Sequence, residues 1–567
     1  MNGLSQSRLP VAVCMTALMG WSFLLTWLSE AFSYTRDVLE KPVLFFVTMQ
    51  MGAGMLYLFT LWLLRQRVSS RSIVMTVMAV GLVMRLSQMA ATPILETDQY
   101  RYLWDGAVTA HGSSPYAYAP NQITSRPENL PDPLRELADE SGEVLSRINH
   151  PSLRTIYPPT AQAAFAVGHW IEPFGISGLR WTWLGLDLAI AGMLLLMLRQ
   201  VGSSAVAFSL GIYWLNPLLI KEVFNSGHME LVLIAAAIGA LLAAIRHRTV
   251  LSMILLGLAT GAKVWPVLWL PLLLRNSTRS WSRRTVGLAA FAVTVLLLAY
   301  PIVMTPLDAT SGFTAYAQRW QMNDSAYLLL HESLRWFSPA HGRFAARMVV
   351  AAFLLLLVIY LLVRHRSSDR WVIGSALAVT STLFLLSPTQ FPWYYLWILP
   401  LLALRPLWSL LGLTVTLPLY YLRFPLDALG HANWFDYGLV WIEFVPIWLL
   451  LAVELRASTP VLRRPVVWEA HQQTPTARVA VVIPALNEEH AIGQVLAAIP
   501  QWVSQVVVAD NGSTDETASI AKQHGATVVH ERQRGYGAAC LAGIAALEDP
   551  DIVVFLDGDF SDHPQEM

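Results

Sequence analysis

Pro93-Ile94-Leu95-Glu96-Thr97-Asp98-Gln99-Tyr100-Arg101-Tyr102-Leu103-Trp104-Asp105-Gly106 is the stretch on which the reading of this chain turns. It follows an apolar run, 73–89, long enough to cross a bilayer. It therefore begins at a membrane face. Glu96, Asp98 and Asp105 fall there beside Arg101 and a set of aromatic residues. Carboxylates at a bilayer boundary are costly unless they face protein or water and have a partner. The bland reading is a charged helix end in which Arg101 pairs with Asp98 or Asp105. The sharper one is a catalytic loop, and the rest of the chain decides between them.

Composition sets the class. The chain is 55% hydrophobic and 13% charged, whereas soluble domains carry about a quarter charged residues. This is a polytopic membrane protein with a soluble appendix. Formal net charge is zero, so no basic field argues for a nucleic-acid partner. Cys14 and Cys540 lie in unlike environments and form no disulfide framework. The first apolar run follows Arg8 but precedes no small-residue cleavage site, so it reads as a retained helix.

About twelve spans are expected, at 11–28, 43–64, 73–89, 179–198, 205–220, 229–245, 286–304, 348–363, 371–386, 393–404, 407–422 and 438–453. The apolar segment 250–274 is interrupted by Gly257, Gly261, Lys263 and Pro266 and reads as two half-helices or a re-entrant hairpin. The fold class is thus mostly α, a multispan membrane domain followed by a truncated α/β domain. Arginines cluster at Arg65, Arg67 and Arg71, at Arg246 and Arg248, at Arg275, Arg279, Arg283 and Arg284, at Arg364, Arg366 and Arg370, and at Arg456, Arg463 and Arg464. Lys and Arg concentrate on the cytoplasmic side. One threading puts every cluster there, in the inner or plasma membrane, with the loop after residue 92 outside and the C-terminal tail inside.

The outer loops then share a chemistry. A carboxylate there can take a proton from a reacting hydroxyl, and positioned cations can stabilise developing negative charge. Asp98 is the candidate base, with Glu96 as alternate. Arg101, Lys221, His228, Lys263 and Arg319 are the candidate cations. Glu230 joins them, since ionisable residues bordering spans are functional candidates by default. The bland alternatives are mutual neutralisation within the bundle, a snorkelling Lys263 and a surface Arg319.

The motifs in order are Glu96-Thr97-Asp98 with Tyr100-Arg101-Tyr102-x-Trp104-Asp105-Gly106, Tyr157-Pro158-Pro159, Asn216-Pro217 with Gly227-His228-x-Glu230, Gly261-x-Lys263, Trp320-x-x-Asn323, and Ser387-Pro388 with Pro392-Trp393-Tyr394. This set resembles the polyprenyl-phosphate-sugar-dependent glycosyltransferases of the superfamily C fold, especially bacterial mannosyltransferase-like enzymes. The resemblance implies a polyprenyl-phosphate-sugar donor, a glycan or glycolipid acceptor on the outer face, and a first-loop carboxylate as base, which Glu96-Thr97-Asp98 matches. Glu230 stands where an Asp might be expected.

The tail changes period. After a polar linker, 456–477, short β-branched strands at 478–484, 506–510, 526–530 and 551–557 alternate with helices at 491–499, 516–524 and 537–547. That pattern means a parallel sheet whose ligand sits at the strands' carboxyl ends. Asn487-Glu488-Glu489, Asp510-Asn511-Gly512-Ser513-Thr514-Asp515, Arg534-Gly535-Tyr536-Gly537 and Asp557-Gly558-Asp559 all fall there. An Asp-x-Asp at a strand end can hold a divalent cation bridging a diphosphate. The set resembles A-fold glycosyltransferases that include dolichyl-phosphate mannose synthases, with Asn511 where Asp is more usual. By that resemblance Pro484, Asn487, Glu488, Asp510 and Asp515 would hold a GDP- or UDP-sugar, and Asp557 and Asp559 a Mg or Mn ion. The chain stops soon after this motif, so 478–567 is expected to be a half-domain unable to catalyse the nucleotide-sugar step. The leading reading is a membrane hexosyltransferase, 1–455, fused to part of a donor-making domain. The competing one is a lipid-sugar transporter or flippase with a regulatory tail.

Overall fold

The computed structural model describes residues 9–67, 69–128, 130–200, 205–278, 280–306, 308–364, 368–461, 477–562 and 564–566. They form two compact units, Met1–Ala457 and Ser458–Met567. Most of the segment read as a linker lies outside the described residues.

In the first unit, seven helices are long and apolar enough to cross a membrane: Leu9–Phe32, Val43–Arg65, Ile176–Gln200, Trp281–Val303, Gly342–Val363, Asp369–Leu386 and Ala432–Ala457. The other five expected spans are shorter or broken. Arg71–Ser87 has 17 residues, and Glu230–Ile245 has 16. The span expected at 205–220 stops at Trp214, where the Asn216 side chain accepts from the Leu218 and Leu219 amides and starts a new turn at Pro217. Pro392, Pro400 and Pro418 divide the remaining two into short turns, because proline lacks the amide that a continuous helix needs. Segment 250–274 is broken, as its glycines and proline require. Thr249–Thr260 ends at Gly261, and a 3-10 turn at Trp265–Trp269 leads into Leu270–Ser277. A Cβ at Gly261 would lie 2.7 Å from Thr160 Oγ1.

Two buried arginines fix the frame. Arg85 pairs with Asp187, which also accepts from Tyr213, and its guanidinium lies 3.5 Å from the Trp214 ring centroid. Arg180 donates to the carbonyls of Met89, Ala91 and Asn225. The Asn225 side chain in turn accepts from the Ile94 amide and donates to the Thr92 carbonyl. A chain leaving a helix at membrane depth must find partners for its free carbonyls. Arg180 and Asn225 supply them, and so hold the entry to the first long loop. That loop continues as helix Asp98–Ala110, packed on Pro159–Ile171. The approach is closest at Gly106, where a Cβ would lie 2.5 Å from the Phe165 carbonyl oxygen.

The second unit is a parallel sheet of β1 (Val479–Ala485), β2 (Gln505–Asp510), β3 (Thr527–His530) and β4 (Ile552–Phe555), in the order β3-β2-β1-β4. Helices Ile492–Ala498, Thr517–Gln523 and Tyr536–Ala545 connect the strands. β1 is buried throughout, as a β-branched run with sheet neighbours on both sides should be. The strand order reverses beside β1. A ligand crevice is therefore expected at the carboxyl ends of β1 and β4.

Candidate active site

Asp98 opens its helix, where a carboxylate suits the positive end of the helix dipole. It is half-buried. Oδ1 accepts from Asn149 Nδ2 at 2.8 Å, and Oδ2 accepts from the Tyr157 hydroxyl at 3.3 Å. Tyr157 meets Tyr102 edge-on, and Tyr102 stacks on Phe165. Both oxygens of Asp98 are thus oriented by groups that are themselves packed.

Behind this rim lie two ion pairs. Lys221 and Glu222 sit on a π-helical segment, Ile220–Asn225, a distortion often associated with functional sites. Lys221 Nζ is 3.4 Å from Glu222 Oε2, and Tyr421 donates to Glu222 at 2.8 Å. Lys263 leaves the break after Gly261, reaches Glu230 Oε1 at 2.7 Å and lies 4.0 Å from the Tyr394 ring centroid. Trp397 also donates to Glu230. Lys263 is therefore directed into the bundle and does not snorkel. His228 is fully buried and stacks on Trp393 at 3.9 Å. Its Nε2 is 3.7 Å from Glu222 Oε2, and neither ring nitrogen has a hydrogen-bond partner. A Cβ at Gly227, beside His228, would lie 3.4 Å from Gln99 Cβ, beside Asp98. The floor therefore adjoins the rim in one basin.

Glu96 has a buried Oε1 without a hydrogen-bond partner, and burial pushes its carboxyl well up from the ordinary range, opposed by Lys221. Asp105 is buried and accepts from Gln162 Nε2 at 3.2 Å, and burial raises it too. Arg101 departs from the expectation of a guanidinium facing Asp98. It donates to the carbonyls of Asn149, His150 and Leu153 and so holds the loop that carries Asn149. Arg319 ends helix Gly312–Arg319, and its side chain lies outside the described residues. Tyr421 was not singled out in the sequence, because a tyrosine pair in an apolar run reads as an interfacial belt. Glu443 was also missed, although it is an ionisable residue inside an expected span. It is buried and accepts from Asn323 Nδ2 at 2.9 Å.

In the second unit the strand ends knit together. Asn487 adopts a left-handed conformation (φ 59°) and accepts from the Thr514 amide at 2.8 Å. Asp515 caps Thr517 and accepts from the Glu489 amide. Asp510 accepts from the Ser513 amide and meets His530 Nδ1 at 2.9 Å. Pro484 pairs in register with Ala509. Asn511 explains its own departure from Asp: its amide donates to the carbonyls of Glu531 and Gln533, which a carboxylate cannot do. Burial, then Asp559, Asp515 and Asp557, push the Glu488 carboxyl up. These four carboxylates share one crevice. Among the described residues, no three His, Cys, Asp or Glu side chains converge into a complete metal cage.

Residues 155–388 match the family model of Glycosyltransferase family 87, and residues 480–567 that of Glycosyl transferase family 2. Residues 11–139 match the model named Alpha-(1->6)-mannopyranosyltransferase, N-terminal domain. An uncharacterized glycosyltransferase of Mycobacterium tuberculosis is 52% identical over 83 residues, 15% of this chain and 37% of that protein. A dolichyl-phosphate hexose transferase of Haloferax volcanii is 43% identical over 77 residues, 13% of this chain and 33% of that protein. An uncharacterized protein of Methanocaldococcus jannaschii is 41% identical over 91 residues, 15% of this chain and 37% of that protein. The chain spans about a third of the length of these curated relatives. No solved structure matches it. The chain thus joins a multi-pass membrane segment matching glycosyltransferase family 87 to a segment matching glycosyltransferase family 2.

Proposed function

We propose that the membrane unit transfers a hexose from a polyprenyl-phosphate sugar to a hydroxyl of a glycan or glycolipid. Mannose is favoured by the mannopyranosyltransferase model at 11–139. Asp98 takes the hydroxyl proton as the acceptor oxygen bonds to the anomeric carbon. The bond from that carbon to the phosphate oxygen breaks, and Lys263, Lys221 and His228 receive the growing negative charge. The observation that carries this reading is the basin: a half-buried Asp98 oriented by Asn149 and Tyr157, adjoining a buried His228 with no hydrogen-bond partner. Glu96 is the weaker base, since burial favours its protonated form. Arg101 positions the loop, and Glu222 and Glu230 hold the lysines. In this reading the shorter apolar helices complete about twelve crossings. The Arg-rich helix ends face the cytoplasm with the tail, and the basin opens on the other side of the cell membrane.

The tail, in the same reading, binds a GDP- or UDP-sugar through Pro484, Asn487, Glu488, Asp510 and Asp515. Asp557 and Asp559 would hold Mg or Mn there. The crowding of like charges around Glu488 supports a cation, because a divalent ion relieves it. Two carboxylates suffice where diphosphate and water supply the other ligands. The domain limits 1–455, 456–477 and 478–567 belong to this proposal.

The test is the full chain in proteoliposomes given radiolabelled polyprenyl-phosphate mannose and membrane acceptor. Label should pass to acceptor. Movement of intact labelled lipid across the bilayer, with no transfer, would overturn the reading in favour of a transporter.

A further inference from the structure

The helices Thr249–Thr260 and Trp281–Val303 begin beside each other. They touch near their starts, where a Cβ at Gly287 would lie 2.9 Å from Thr249 Cγ2. Two open grooves flank this crossing, of about 420 Å³ and about 480 Å³. Arg248 and Arg283 line the first, and Arg275 and Arg284 the second. Among the described residues none of these four arginines forms an ion pair with a carboxylate. Arg284 donates to the Thr278 carbonyl and lies 5.5 Å from the Trp281 ring centroid. Trp281 is 78% exposed. The surface continues along both helices as exposed apolar side chains: Val250, Leu251 and Ile254 on one, Val286 and Leu288 on the other.

Unneutralised guanidiniums next to an exposed Trp and a strip of aliphatic side chains complement one kind of molecule, an anionic lipid. The phosphate meets the arginines, the glycerol region meets the Trp, and the acyl chains lie along the apolar strip. Neither helix has an acidic residue in its first turn or a side-chain cap, so the free amide ends reinforce the same preference. The site is separate from the basin. Helix Thr249–Thr260, of 12 residues, runs about 18 Å between Arg248 and the Gly261 break that presents Lys263.

We propose that this paired groove binds the headgroup of an anionic membrane glycerophospholipid, with phosphatidylglycerol as the working case. The site anchors the broken segment that carries Lys263 to the bilayer surface.

The experiment uses the full chain in phosphatidylcholine nanodiscs with graded phosphatidylglycerol, reading retained lipid by native mass spectrometry after mild delipidation. The double variant Arg248→Gln/Arg283→Gln should lose preference for phosphatidylglycerol by about fivefold per arginine. Arg248→Lys/Arg283→Lys should keep most of it, and so should the control Arg364→Gln/Arg370→Gln, at another Arg-rich helix end. Equal losses in test and control variants, or no loss in the test variant, would overturn the site. So would equal loss in the Lys and Gln pairs. If the Gln pair lowers retention of polyprenyl phosphate but not of phosphatidylglycerol, the occupant is the wrong lipid and the proposal falls.

Discussion

The membrane unit and the C-terminal unit assemble their charged residues in opposite ways. In the first, each cation on the basin floor stands against its own carboxylate, Lys221 with Glu222 and Lys263 with Glu230. In the second, Glu488, Asp515, Asp557 and Asp559 crowd one crevice, and among the described residues no basic side chain pairs with any of them. In the first site the lysines are matched by glutamates, and Asp98 stands as a further carboxylate held by Asn149 and Tyr157. The second is short of positive charge, which in the proposed reading a cation would supply. Under the proposed function the basin would act on a lipid phosphate directly, whereas the crevice would hold a diphosphate through a bound metal.

The contrast breaks if the basin lysines merely neutralise glutamates. Lys263→Gln should lower transfer by about 10²- to 10³-fold, the usual scale for losing one donor to developing charge. It also strands Glu230, so the double variant Lys263→Gln/Glu230→Gln is the sharper measurement. That pair should regain the parent melting temperature but not the activity. Recovery of both would reduce Lys263 to a structural counter-ion.

A smaller effect is expected in the crevice. Asp559→Asn in the full chain should weaken magnesium-dependent binding of a nucleoside diphosphate about tenfold or more, equivalent to about 1.4 kcal/mol. Calorimetry with and without Mg reads it directly. Binding that ignores both the metal and the substitution would remove the cation from the account.

The smallest effect sharpens the contrast within the membrane unit, at Asp324, a carboxyl that among the described residues forms no ion pair. Asp324 is buried and accepts from Gln321 Nε2, and burial lifts it to about 7. Its folded value lies above its unfolded one, so its contribution is fully present below about pH 4 and is lost as pH rises toward 7. Asp324→Asn should flatten that slope and raise the melting temperature by a few degrees at pH 8. The gain should vanish near pH 4. A gain that is the same at both pH values would detach it from titration.

The two regions also differ in how much their sequences disclosed. The crevice was readable because each of its groups follows its own strand, and the strand pattern is local. The basin gathers Asp98, Asn149, Tyr157, Lys221, His228 and Lys263 from segments far apart in the chain. Spacing could name several of these but not their partners. Arg101 is the instructive failure: three residues from Asp98, it shares a helix face with it, yet carbonyls at 149, 150 and 153 take its guanidinium. A distant loop made that choice. The segments at 205–220, 393–404 and 407–422 are divided into short helices and turns for a local reason, since hydropathy does not register the proline at each break.

The central claim is that Asp98 is the base, held by Asn149 and Tyr157 and acting above the lysine floor. The most direct measurement is single-turnover transfer from polyprenyl-phosphate mannose by Asp98→Asn in proteoliposomes, with donor retention measured on the same sample. The substitution keeps the shape and the two hydrogen-bonded positions while removing basicity. The account predicts donor retention close to the parent and transfer lower by ~10²–10⁴-fold, with Glu96→Gln milder. Transfer by Asp98→Asn above about a tenth of the parent rate, outside that catalytic range, would contradict it.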